Sequence, residues 1–281
     1  MSHLFIFFTY NRPVVLRRSL ESFFRDKYPE DSEFLIINDG FDSDVLKIIN
    51  ECREKFGAKI IQHDKNYGYS YSFYEALNLT IKLSPEFVFF IETDYVFRKG
   101  FYDDCLKALK NTQAVGIPGS SHPDFYKPEA YFKWYGDVTK EQFGQDIPNR
   151  KNLYKHFQHE DITVQYGTHA CCCFMLNWKK FIEKVRAEKY LSGLFTLMDR
   201  ACEKYAFFGV KTPNDGMITG GISLLWATMN GYNEESDGAA FIDIVNPPIA
   251  IHIAGGGINA TYLPENETSI IPPFWENEYY N

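Results

Sequence analysis

Phe87-Val88-Phe89-Phe90-Ile91 is an unbroken apolar run that leads straight into Glu92-Thr93-Asp94. A short run rich in Val, Ile and Phe reads as a strand buried on both faces. Such a strand needs a covering layer on each side, which excludes an open two-layer sheet. The pattern recurs along the first third of the chain. Leu4-Phe5-Ile6-Phe7-Phe8 stops at Thr9-Tyr10-Asn11-Arg12-Pro13. Glu33-Phe34-Leu35-Ile36-Ile37 stops at Asn38-Asp39-Gly40, and the short Lys59-Ile60-Ile61 is followed by Asn66-Tyr67-Gly68. Between these runs lie helical stripes. Val14, Leu16, Leu20 and Phe23-Phe24 form one after Pro13, a residue suited to a helix's first turn. Val45, Ile48, Ile49 and Cys52 form the next, and a third helix runs from Gly68 to about Leu83. Strands alternating with helices predict an α/β fold with a mostly parallel central sheet flanked by helices. All the strand ends then share one edge, where ligands of such sheets bind.

The chain has 281 residues, 45% of them hydrophobic, enough for one α/β domain over 1–281. Its net charge of −8 argues against a broad nucleic-acid footprint. Met1-Ser2-His3 leads at once into a strand, so no basic-then-apolar leader is expected. No apolar stretch approaches the ~20 residues that span a bilayer. The six cysteines, three of them consecutive at Cys171-Cys172-Cys173, lack zinc-type spacing. These features predict a reduced, cytoplasmic protein, in which the Asn-X-Thr triplets at Asn78, Asn259 and Asn266 are chance matches.

The strand ends carry the candidate chemistry. Glu92 and Asp94 are hard oxygen donors two residues apart, which on an extended segment share one side. Such a pair suits Mg²⁺ or Mn²⁺ shared with a substrate phosphate. Plainer roles stay open. Asp94 suits a cap on the next turn, Asp39-Gly40 a simple turn, and Thr9 or Asn11 a helix cap. No G-x-G-x-x-G follows the first strand, which argues against a dinucleotide. Further on, Ala114-Val115-Gly116-Ile117-Pro118 reads as a strand. Residues 120–160 are rich in aromatic residues, suited either to stacking on sugars or to an ordinary core. Pro213-Asn214-Asp215-Gly216 precedes an apolar helical run, and Ile249–Ala254 reads as a strand holding a lone His252. His156 and His159-Glu160-Asp161 read as a solvated loop.

Strand–Thr-Tyr-Asn-Arg-Pro, strand–Asn-Asp-Gly, Asn-X-Gly before a helix and strand–Glu-X-Asp, in this order, resemble the family 2 glycosyltransferases of the GT-A (Rossmann-like) fold. The resemblance is good over residues 1–120 and thinner beyond. It implies a nucleotide-sugar-binding half at 1–120 and a mixed, acceptor-binding half at 121–281. It matches Thr9 and Asp39 to contacts with the donor's base and ribose, sets Tyr10 and Arg12 beside the base or a phosphate, and matches Asn66 to closure of the pocket. Glu92-Thr93-Asp94 matches the family's Asp-X-Asp element, in which the last acid binds Mn²⁺ or Mg²⁺. Glu92 stands where that element has Asp. The resemblance makes Asp215 the base that takes the acceptor's proton, with Asn214 replacing the family's Glu, and His252 a further metal ligand. Asp199 and Glu203 are rival bases, and Asp215 equally suits a helix cap. The implied activity is metal-dependent, inverting transfer from a nucleotide-diphosphate sugar to a hydroxyl on a glycan, a lipid-linked sugar or another acceptor. The alternatives are a module that binds nucleotide sugars without catalysis, glycosylation of a hydroxymethylated DNA base, which the acidic balance disfavours, and nucleotidyl transfer, whose Gly-rich, Arg-containing loop after the first strand is missing.

Overall fold

The computed structural model describes residues 2–111, 116–118, 156–159, 162–166, 173–187, 242–246 and 249–252. β1 (His3–Thr9), α1 (Pro13–Phe23), β2 (Ser32–Asn38), α2 (Ser43–Phe56), β3 (Lys59–Gln62), α3 (Tyr69–Leu83) and β4 (Phe87–Glu92) alternate as the apolar runs predict. β5 (Tyr95–Phe97), α4 (Phe101–Asn111), β6 (Gly116–Pro118), β7 (His156–His159), β8 (Ile162–Tyr166), β9 (Phe174–Asn177), α5 (Trp178–Ala187), β10 (Ile242–Asn246) and β11 (Ala250–His252) follow.

The central sheet has six strands in the order β3-β2-β1-β4-β9-β6. β3, β2, β1 and β4 are parallel, and β9 runs antiparallel to both β4 and β6. Every residue of β1 is buried. Successive side chains point to opposite faces, so Phe5 and Phe7 join one apolar cluster and Leu4, Ile6 and Phe8 the other. The first cluster packs the sheet against α1, α2 and α4 through Leu16, Leu20, Phe23, Val45, Ile48 and Leu109. The second packs it against α3 and α5 through Phe73, Leu77, Trp178 and Phe181. This is the two-sided covering that continuous apolar strands require.

Two local expectations change, and α2 gains a cap. α1 is not capped by Thr9 or Asn11: its N-cap is Arg12, at φ 79°, with no side-chain cap and with Pro13 in the first turn. Asp42 caps α2, accepting from the amides of Asp44 and Val45. His156–His159, expected as a solvated loop, is β7 of a separate three-stranded antiparallel sheet, β10-β8-β7. Its backbone pairs with a strand close in sequence, a contact that polar composition does not reveal.

Candidate functional site

The parallel register fixes which residues meet at the sheet edge. Thr9 pairs with Asn38, Asn38 with Gln62, and Phe8 with Glu92. The ends of β3, β2, β1 and β4 thus form one line. Beyond Thr9, the Asp39 amide donates to the Thr9 carbonyl (2.9 Å) and carries the chain across the end of β1. A β-carbon added at the next residue, Gly40, would lie 2.1 Å from the Tyr10 carbonyl oxygen. Only glycine allows this approach.

Buried Asn38 ties the crossing down. Its Nδ2 donates to the Gly40 carbonyl (2.9 Å) and to Gln62 Oε1 (2.7 Å). Its Oδ1 accepts from the Gly40 amide (3.2 Å). Gln62 Nε2 adds a bond to the Gly40 carbonyl (3.0 Å).

Asp39 is not a simple turn residue. Its Oδ1 accepts from the Tyr67 amide and pairs with His63 Nδ1, both at 2.8 Å, and its Oδ2 accepts from the Gly68 amide at 2.6 Å. The carboxylate therefore pins the loop that holds half-buried Asn66. His63 Nε2 pairs in turn with Glu75 Oε2 on α3 at 2.9 Å. Ionised carboxylates only accept, so both contacts favour the doubly protonated ring. Burial opposes the ring's charge. Hydrogen bonds to Asp39 and Glu75 and their negative charges outweigh that penalty and raise the His63 pKa above 6.5.

At the end of β1, Thr9 Oγ1 and Arg12 Nε are buried and make no hydrogen bond among the described residues. Leaving such groups unmet costs about 1–3 kcal/mol each. Tyr10 is 41% exposed beside them. Arg12 Nη1 stands 3.8 Å from Asp94 Oδ2, each side chain about one-fifth exposed.

The extended geometry expected for Glu92 and Asp94 holds only for the first. β4 ends at Glu92, because the Thr93 amide and hydroxyl both donate to the Phe8 carbonyl, at 3.3 and 2.9 Å, and turn the chain. Asp94 lies in that turn, between β4 and β5. β5 pairs antiparallel with β11, and the register sets His252 opposite Tyr95, next to Asp94. Residues far apart in sequence thus meet in the backbone.

Among the described residues no three His, Cys, Asp or Glu side chains gather around one point. The donor set still fits Mg²⁺ or Mn²⁺, which take one or two carboxylates and fill the remaining positions with water and phosphate oxygens. Asp94 contributes one such carboxylate, 3.8 Å from the Arg12 guanidinium.

Asp215, its neighbour Asn214, the rivals Asp199 and Glu203 and the aromatic segment 120–155 lie outside the described residues. Asn38, Gln62, His63 and Glu75 are the residues that sequence reasoning missed. The one available signal was the buried strand's polar ending, Asn38-Asp39. No helix among the described residues is long and apolar enough to cross a membrane.

A sequence model of Glycosyl transferase family 2 matches residues 5–186. No curated protein matches the chain by sequence. Among solved structures, the mannosyltransferase PcManGT from Pyrobaculum calidifontis, in complex with GDP-Man and Mn²⁺, is 11% identical. The alignment covers 92% of this chain and 59% of that one, with a TM-score of 0.50, a likeness of fold. S. aureus TarS 1-349 is 16% identical, over 70% of this chain and 55% of that one, with a TM-score of 0.43. The chain therefore spans little more than half the length of these proteins.

Proposed function

Because the chain belongs to glycosyl transferase family 2, we propose that it moves a sugar from a nucleotide-diphosphate sugar to an acceptor hydroxyl, inverting the anomeric centre with the help of Mg²⁺ or Mn²⁺. One observation carries the reading: unmet buried donors on Thr9 and Arg12 stand at the same sheet edge as the Arg12–Asp94 pair.

Each residue has a role in this reading. The Thr9 hydroxyl and the Tyr10 ring meet the nucleoside, and the loop held by Asp39, with Asn66, closes over it. Glu92 and Thr93 line the donor next to the ribose. Arg12 directs its guanidinium to the diphosphate, a planar fork suited to binding two phosphate oxygens at once. Asp94, with His252, would hold the cation. When bound, that cation neutralises charge developing on the leaving diphosphate. Asp215 accepts the proton of the attacking hydroxyl, a contribution of roughly 10²–10⁴-fold. The acceptor is a hydroxyl-bearing molecule, in our reading a carbohydrate.

The test is release of nucleoside diphosphate from a panel of UDP- and GDP-sugars, with and without Mn²⁺, together with binding of UDP and GDP. Metal-dependent release that disappears in Asp94→Asn, with the fold retained, is the expected result. Undiminished release in Asp94→Asn at limiting Mn²⁺ sinks the metal assignment. Binding without release makes the protein a nucleotide-sugar-binding module, and absence of both removes the donor reading.

A further inference from the structure

His63 and Glu75 extend the Asp39 contacts into a relay, and the transfer reading gives these two residues no role. The relay joins the sheet edge to α3. Asp39 and His63 are buried, at 5% and 7% exposure. A strand end can present an aspartate to solvent at little cost. Here the carboxylate instead turns inward onto a histidine and two backbone amides.

We propose that His63 is a positioning residue for nucleotide binding: held as a cation between Asp39 and Glu75, it keeps Asp39 on the Tyr67 and Gly68 amides and so fixes the 64–68 loop in its binding shape. The inference rests on the donor-site reading above. It goes beyond it by assigning the loop's geometry to a group that never touches the nucleotide.

The surroundings of the ring support the role. Asp39, at the end of β2, takes Nδ1, and Glu75, on α3, takes Nε2. The rings of Tyr67 and Tyr71 stand edge-on to it, at centroid distances of 5.3 and 5.5 Å. These two tyrosines stack on each other at 4.5 Å. Lys65 lies over the Tyr67 ring at 4.8 Å, and Asp64 accepts from the Tyr67 hydroxyl at 2.9 Å. His63 thus sits under the whole loop. Removing its charge leaves buried Asp39 and part-exposed Glu75 facing a weaker donor. A charge-assisted hydrogen bond is roughly twice as strong as a neutral one, so the loop is held more tightly with the ring protonated. The raised pKa extends that state upward in pH. The hold is complete below the ordinary histidine value and declines as pH rises through the raised one.

The experiment measures affinity for UDP and for GDP at saturating Mn²⁺ from pH 6 to pH 9, in wild type, His63→Gln and Glu75→Gln. Ionisation of the nucleotide affects all three proteins alike, so the quantity read is the variant-to-wild-type ratio at each pH. We expect His63→Gln to bind roughly tenfold more weakly at pH 6, in line with loss of a hydrogen bond to a charged group. The ratio should narrow as pH rises and wild type loses its ring proton. Glu75→Gln should bind nearly as wild type at pH 6 and lose affinity at lower pH than wild type does. In turnover, the effect should fall on the donor KM rather than on kcat. Without nucleotide, the Tyr67 and Gly68 amide resonances should titrate with the His63 ring in wild type and shift their midpoint in Glu75→Gln. A ratio that stays flat from pH 6 to 9, or amides that ignore the ring's titration, overturns the proposal. If neither UDP nor GDP binds wild type, the donor reading fails. The amide titration then still decides whether His63 positions the loop.

Discussion

Replacing Asp39 by Ala removes the acceptor of three hydrogen bonds, from His63, Tyr67 and Gly68. The Asp39 and His63 side chains are only 7% and 6% exposed, so solvent screens their pair weakly. Removing one partner of a buried pair costs about 3–5 kcal/mol. The ring keeps Glu75 on its other nitrogen, which places the loss toward the lower end. The Tyr67 and Gly68 amides are half-buried and can turn to water, adding at most ~1 kcal/mol each. The expected destabilisation is therefore about 3–5 kcal/mol, a large share of the roughly 5–15 kcal/mol available to a folded domain. At ~2–4 °C per kcal/mol this lowers Tm by about 6–20 °C. Asp39→Asn should not rescue it. Its oxygen can serve His63 and Tyr67, but its NH₂ then faces the Gly68 amide, donor against donor. The assay is urea unfolding of wild type and both variants at pH 6 and pH 9. Because the folded-state pKa of His63 is raised, its stabilisation is present at the lower pH and lost as pH rises through that value. The gap between wild type and Asp39→Ala should accordingly be wider at pH 6. An Asn variant as stable as wild type, or a gap independent of pH, refutes the reasoning.

Gly40→Ala forces a β-carbon to 2.1 Å from the backbone oxygen of Tyr10, which cannot swing aside; urea unfolding should show a loss of about 1–3 kcal/mol. Arg12→Gly relieves a residue at φ 79° and should leave stability within ~1 kcal/mol of wild type or above it, while calorimetry shows weaker nucleoside-diphosphate binding; unchanged affinity removes Arg12 from the phosphate site. Asp215→Asn should lower transfer by about 10²-fold or more with nucleotide affinity intact, whereas a near-normal rate makes Asp215 a helix cap and turns attention to Asp199 and Glu203.

The layered sheet was legible in the sequence because its signal is local. Phe5, Phe7, Phe89 and Ile91 lie in short apolar runs, and a strand apolar at every position has to be covered on both faces. The helix stripe Val45, Ile48, Ile49 and Cys52 is buried as its spacing predicts. The shared edge for Thr9, Asn38 and Glu92 follows from the same parallel topology. The relay was not legible. His63 stands alone after a short strand, and Glu75 sits among apolar residues of α3. Nothing in their spacing says that one imidazole links Asp39, just past β2, to Glu75 on α3. Nor did the sequence announce that Thr93 would turn the chain onto the Phe8 carbonyl and take Asp94 off the strand. The pairing of His252 with Tyr95 depends on register between strands distant in the chain. Periodicity reports which face of its own element a residue occupies. Which elements meet, and therefore which charges share a buried space, is decided only when the sheet and its helices pack.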